Sequence, residues 1–185
     1  MNLEFDSKVI ELAHETREKL AKSEELIKEQ RLKLDLDECF CVGSYFVKEA
    51  RNTIREILKV YRKQLAVEKS FYIAFHNDYI NKLNTLCETV DESRRKSFWA
   101  VALPKLVENH EFRMKINEAK MKVTKSALAI AKFAEKNEAH FFLGDEMFKT
   151  KNASLQLECD NLVSKLDEFL ELQYQLGMEQ KNRYE

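Results

Sequence analysis

Residues 45–93 read YFVKEARNTIREILKVYRKQLAVEKSFYIAFHNDYINKLNTLCETVDES, without a single Gly or Pro. Within this stretch Phe46, Ala50, Ile54, Ile57, Tyr61, Leu65, Tyr72, Phe75, Tyr79, Leu83, Leu86 and Val90 succeed one another in steps of three or four, apart from one step of seven where Glu68 interrupts the series. That spacing keeps the apolar side chains on one side of an α-helix and does not fit the strict alternation of a half-buried strand. If unbroken, the helix is on the order of 70 Å long at about 1.5 Å rise per residue. Phe71, Tyr72, Phe75 and Tyr79 crowd its second half, which implies that more than one face is covered there.

The rest of the chain has the same pattern. Its 185 residues include three Gly and one Pro, too few turn formers for an all-β sandwich or an α/β fold. With 44% hydrophobic and 10% aromatic residues the chain has the apolar mass to fold despite being 34% charged. Upstream, Ala13, Thr16, Leu20, Ser23, Ile27, Gln30 and Leu34 form a half-polar seam over residues 7–36, so this helix is expected to pack on the others rather than nucleate them. Residues 35–44 form the first turn, with Gly43 flexible and Ser44 placed to cap the long helix. Downstream, Asp91, Ser93, Arg94, Arg95 and Lys96 form a polar break, and residues 98–107 are expected to be an apolar corner kinked by Pro104.

A third helix is expected from about 105 to 142, with Ile116, Val123 and Ile130 at sevens; His140-Phe141-Phe142-Leu143 closes it, Gly144 ends it and Asp145 is placed to cap the next element. The fourth has the most regular seam: Phe148, Leu155, Cys159, Leu162, Leu166, Phe169, Gln173 and Leu176, with Asn152 and Ser154 marking a local break inside it. The expected architecture is one all-α domain over residues 1–185, an elongated bundle of three or four long, mostly antiparallel amphipathic helices with coiled-coil character.

The first ten residues, MNLEFDSKVI, lack the apolar core of a secretory signal, and the longest nearly uncharged stretch, residues 98–103, is far shorter than the roughly 20 residues a membrane-spanning helix needs. A soluble cytoplasmic protein is expected, with Cys39, Cys41, Cys87 and Cys159 as thiols.

Charge is unevenly distributed. The chain carries 31 basic and 32 acidic residues, yet residues 41–153 hold 21 basic against 14 acidic, a local net of +7 between two acidic ends of −4 each. Arg51, Arg55, Lys59 and Arg62 step along one helical face, and Lys120, Lys122 and Lys125 add to the third helix. One reading pairs acidic outer helices with basic inner ones. The other is a basic surface for an acidic partner or anionic lipid. A near-neutral total argues against nucleic acid. Long helices, a single Pro kink and a basic middle together resemble the general pattern of the BAR domains, dimeric modules whose basic surface meets anionic curved membranes; the acidic ends and a fourth helix depart from it.

Chemistry-bearing motifs are sparse. Glu11-Leu12-Ala13-His14 has Glu-x-x-His spacing but no second copy, so its side chains are expected to face water. Cys39 and Cys41 form a C-x-C pair with no second pair at finger spacing. No nucleophile elbow, glycine-rich phosphate loop or H-E-x-x-H occurs, so no catalytic residue, metal or cofactor is assigned. Arg94-Arg95-Lys96-Ser97 matches the R-R-x-S pattern of basophilic kinases, making Ser97 a candidate phosphosite. Phe98 and Trp99 come next as a candidate anchor or membrane wedge, or as a plug for the bundle end. By elimination the expected function is a non-enzymatic scaffold or adaptor that joins protein partners along its helix faces, as a homodimer or within a coiled-coil assembly. The alternative is the BAR-like membrane module.

Overall fold

The computed structural model describes residues 3–144 and 147–184. It is an all-α bundle built on four long helices: α1 (Leu3–Leu32), α2 (Lys48–Cys87), α3 (Glu92–Lys136) and α4 (Ala153–Tyr184). Two 3-10 turns, Glu38–Phe40 and Val42–Phe46, join α1 to α2. Between α3 and α4 lie a 3-10 turn, Glu138–His140, and an antiparallel hairpin of β1 (Phe141–Gly144) and β2 (Met147–Thr150), registered with Phe141 opposite Thr150. Among the described residues no helix is long and apolar enough to cross a membrane.

Contacts gather into two compact units. Unit one holds α1 through Gln30, α2 from Val67 and α3 through Met114. Its buried apolar residues are Phe5, Tyr72, Leu83, Cys87 and Phe112. Two polar contacts set the helix directions. Asp6 pairs with Arg94 near the start of α3, and Glu24 accepts from Arg113 Nε at 3.4 Å further along. So α1 runs parallel to α3. Glu24 also accepts from the Tyr72 hydroxyl at 3.3 Å, tying in α2, which the short turn at residues 88–91 makes antiparallel to α3.

Unit two holds the 3-10 turns, α2 through Ala66, α3 from Lys115, the hairpin and α4. Its core gathers Cys39, Tyr45, Ile54, Leu58, Val123, Ala127, Ile130, Ala131, Ala134 and Leu166. Each fully buried Leu or Ile here stabilises the fold by roughly 1.5–3 kcal/mol. On α3 the buried positions include Ala119, Ala127, Ala131 and Ala134. Asn117 Nδ2 donates to the Leu65 carbonyl at 3.0 Å, a buried contact that fixes the antiparallel register of α2 and α3.

The buried stripe of α2 differs from the apolar one. Arg51, Ile54, Leu58, Tyr61, Leu65, Glu68 and Tyr72 are all buried, in strict steps of three and four. The gap that the apolar series shows at Glu68 is thus filled by Glu68 itself.

Several boundaries move relative to expectation. α3 begins at Glu92 and passes through Pro104, so residues 98–107 are not a corner. The Asp91 carboxylate accepts from the Arg94 N–H at 2.9 Å and caps the helix there. Lys96 pairs with Glu92 at 2.7 Å, so the supposed polar break is the first turns of a helix. Pro104 is exposed, and the Ala100 carbonyl that loses its donor is on the same solvent-facing side. Ser44 does not cap α2, because the second 3-10 turn runs on to Phe46 and the helix starts after extended Val47. Asn152 is not a break inside the last helix but its cap: Oδ1 accepts from the Ser154 and Leu155 N–H groups at 3.0 and 3.2 Å.

The hairpin replaces the expected end of the third helix and takes Phe148 out of the α4 seam. Phe141 packs inward on Phe46 and Phe133 while Phe142 is half-exposed, a period-two alternation. Asp145, the expected cap, lies outside the described residues. The remaining α4 seam faces inward, with Cys159 and Leu166 buried and Leu155, Leu162, Phe169, Gln173 and Leu176 half-buried.

Candidate interaction surfaces

The basic residues singled out on α2 and α3 do not form one exposed set. Arg51 is only 2% exposed. It lies in the first turn of α2, on the buried stripe, where Nη1 donates to the Tyr45 carbonyl at 3.1 Å and Nη2 pairs with Glu138. Its guanidinium ties the turn before α2 to the turn after α3 and is not presented to lipid or to a partner. Arg55 is half-buried and bonded to Glu135 of α3 at 2.7 Å. Lys59 is exposed and pairs with Glu56 at 2.6 Å, and Arg62 is exposed one turn on. Lys120 is half-buried, whereas Lys122 and Lys125 are exposed, with Lys122 Nζ above the Phe169 ring at 5.6 Å. Within unit two, then, Lys59, Arg62, Lys122 and Lys125 reach solvent, and Arg51 and Arg55 are committed to cross-helix pairs.

Unit one carries the motif at the start of α3. Arg94 pairs with Asp6 and lies over the Phe5 ring at 5.8 Å. Ser97 is exposed, its hydroxyl donating to the Ser93 carbonyl at 3.0 Å. Phe98 meets Phe5 edge-on at 5.6 Å and Trp99 at 5.2 Å; both are half-buried, so each is seated on unit one rather than projecting from it. Beyond them the helix turns apolar residues outward. Ala100, Leu103, Pro104 and Val107 share one side of α3 and are all exposed, and Val101 beside them is 65% exposed. This strip was visible as an apolar run; its orientation was not.

The candidate ligand motifs separate. Glu11 and His14 are exposed, and His14 lies 3.7 Å from Glu18 instead. Cys39 is enclosed, its thiol donating to the Asp35 carbonyl at 3.3 Å, while Cys41 is exposed, so the C-x-C sulfurs do not converge. Burial, with help from Asp35 and Glu38, pushes the Cys39 thiol up to about 11. All four cysteines are free thiols. Among the described residues no three His, Cys, Asp or Glu side chains gather as a metal site.

Two clusters had no sequence signal. His76 and His110 stack across α2 and α3 with ring centroids 4.3 Å apart. Burial, then the other ring's charge, holds His76 below its ordinary value; burial, then Arg113, does the same to His110. In unit two Phe46 and Phe148 stack at 5.0 Å and wall a cavity beside α4. Spacing along one element cannot reveal pairs drawn from two.

The chain matches no protein-family model, no curated protein and no solved structure.

Proposed function

We propose that this protein is a non-enzymatic helical scaffold that binds protein partners, a second copy of itself first among them, through the outward side of α3. The observation that supports this reading is the exposed apolar strip of Ala100, Val101, Leu103, Pro104 and Val107. Burying such side chains against a partner is worth about 25 cal/mol per Å² of apolar surface, less the cost of association. Grouped apolar side chains of this kind mark interaction sites more often than scattered ones do. Seated beneath the strip, Phe98 and Trp99 would stiffen it rather than insert into the partner.

Size exclusion coupled to light scattering provides the test. The wild-type chain should show a mass above its 21.9 kDa monomer, and Leu103→Ser with Val107→Ser should return it to monomer while the helical circular dichroism stays intact. A wild-type protein that stays monomeric at high concentration would remove the dimer and leave only a different partner to find.

The membrane module is the second reading, favoured by the exposed Lys59, Arg62, Lys122 and Lys125. Lipid binding of this sort depends on anionic headgroups and weakens with salt. Co-sedimentation with phosphatidylserine vesicles that Lys122→Glu with Lys125→Glu abolishes would favour it over the scaffold. Equal recovery with neutral vesicles would count against it.

A further inference from the structure

We infer that the cavity beside α4 in unit two is a binding site for a small organic cation with an apolar body. The cavity has a volume of about 740 Å³, inside the roughly 300–1,000 Å³ range of small-molecule sites. Three elements enclose it: the 3-10 turn with Val42, Gly43 and Phe46, strand β2 with Phe148, and α4 with Cys159 and Val163. These residues make an apolar wall whose centre is the Phe46–Phe148 stack, tilted by only 20° and so offering a broad aromatic surface.

The polar groups are distributed asymmetrically. On α4, Asp160, Ser164 and Asp167 stand at i, i+4 and i+7, which places two carboxylates and a hydroxyl along one edge of the opening, all exposed. Asp160 already accepts from Gln156 Nε2 at 2.9 Å, which orients it at the rim. Among the described residues Lys149 on β2 is the single cation lining the cavity, so carboxylates outnumber ammonium groups there two to one. A ligand with an aromatic or branched aliphatic body would cover the phenyl wall, and an ammonium or amidinium group would reach the carboxylate edge. An anion would meet two like charges.

The site is distinct from the α3 strip, and its test does not depend on the oligomeric state. Calorimetric titration of the full chain with 2-phenylethylammonium, 2-phenylethanol and phenylacetate separates charge from shape. The amine should bind with saturation at millimolar concentration or below, roughly tenfold more tightly than the alcohol, with the acid weakest. Asp160→Asn with Asp167→Asn should bring the amine to within about twofold of the alcohol, because the two carboxamides keep the volume and remove the charge. A Cβ built at Gly43 meets nothing within 4 Å. Gly43 is one of the lining residues and has room for a side chain, so Gly43→Trp adds bulk at the cavity wall and should weaken amine and alcohol alike by about tenfold or more while circular dichroism and melting remain native. The inference is overturned if none of the three compounds saturates, if amine and alcohol bind equally to the wild type, or if the Asn double variant retains the preference for the amine.

Discussion

Replacing Arg51 by Met tests the polar anchor of unit two. The side chain is 2% exposed, donates from Nη1 to the Tyr45 carbonyl at 3.1 Å and pairs through Nη2 with Glu138. Met keeps much of the aliphatic stem, so the substitution removes donors and charge without opening a large void. The Tyr45 carbonyl belongs to a residue with no exposed surface; losing its charged donor costs about 1.5–3 kcal/mol. The Glu138 side chain is 48% exposed and turns to water, so the roughly 3–5 kcal/mol penalty for stranding a buried charge does not apply. Arg51→Met should therefore destabilise by about 2–3 kcal/mol, and Arg51→Ala by more, since each lost methylene adds about 0.8 kcal/mol. Glu138→Gln leaves the buried guanidinium without its counter-charge and should cost about 3–5 kcal/mol, more than Arg51→Met. Urea unfolding monitored by circular dichroism gives the three values. Trp99, the sole tryptophan, sits in unit one, and its fluorescence reports whether the loss stays with unit two. The reasoning fails if Glu138→Gln costs less than Arg51→Met, or if the Met variant is as stable as the wild type.

The stacked histidines set a pH dependence. Both are held below the ordinary value of 6.5, so below that pH the unfolded chain binds protons that the folded one refuses. Their contribution should be complete above 6.5 and be lost as pH falls through it, with a slope of at most about 1.4 kcal/mol per pH unit for each ring. Urea midpoints measured across that range should flatten in a His76→Gln, His110→Gln variant, and an unchanged slope would assign the effect to other groups. Asn152→Ala removes the acceptor of two N–H groups at the start of α4 and should cost about 1 kcal/mol, whereas Asn152→Asp should cost little or nothing; the same urea assay decides. Pro104→Ala restores a backbone donor in an exposed helix interior. A gain of about 1–2 kcal/mol is expected in thermal unfolding, and a loss would mean that the ring is packed against something.

Helices were legible because each repeats its apolar signal over eight turns or more, so one misplaced residue hardly shifts the period. The hairpin was not, since strands of four residues give only two alternations, and Phe141-Phe142-Leu143 reads equally well as a helix end. At Pro104 the general rule pointed to a corner. The deciding signal lay thirteen residues earlier at Asp91, whose cap gives the helix a start upstream of the proline. The apolar strip on α3 was readable in composition. Its solvent orientation depends on where Phe5 and Phe112 are buried, and that is information from the folded chain.

The α2 stripe shows the physical limit most directly. A hydrophobicity reading chooses Ile57 over Leu58 and leaves Glu68 as a gap, because it assigns every charged side chain to water. The buried series instead admits Arg51 and Glu68 and is unbroken from Arg51 to Tyr72. A charge can occupy such a position only when a partner offsets its desolvation. For Arg51 that partner is Glu138, 87 residues away in a turn that exists only once the end of α3 has formed. Arg51, Arg55, Lys59 and Arg62 are therefore not four copies of one surface cation, although they step evenly along the helix. The step of three from Arg51 to Ile54 places the first of them on the core side, and the step of four from Arg51 to Arg55 carries the second toward Glu135. Only Lys59 and Arg62 retain the outward position that even spacing had assigned to all four.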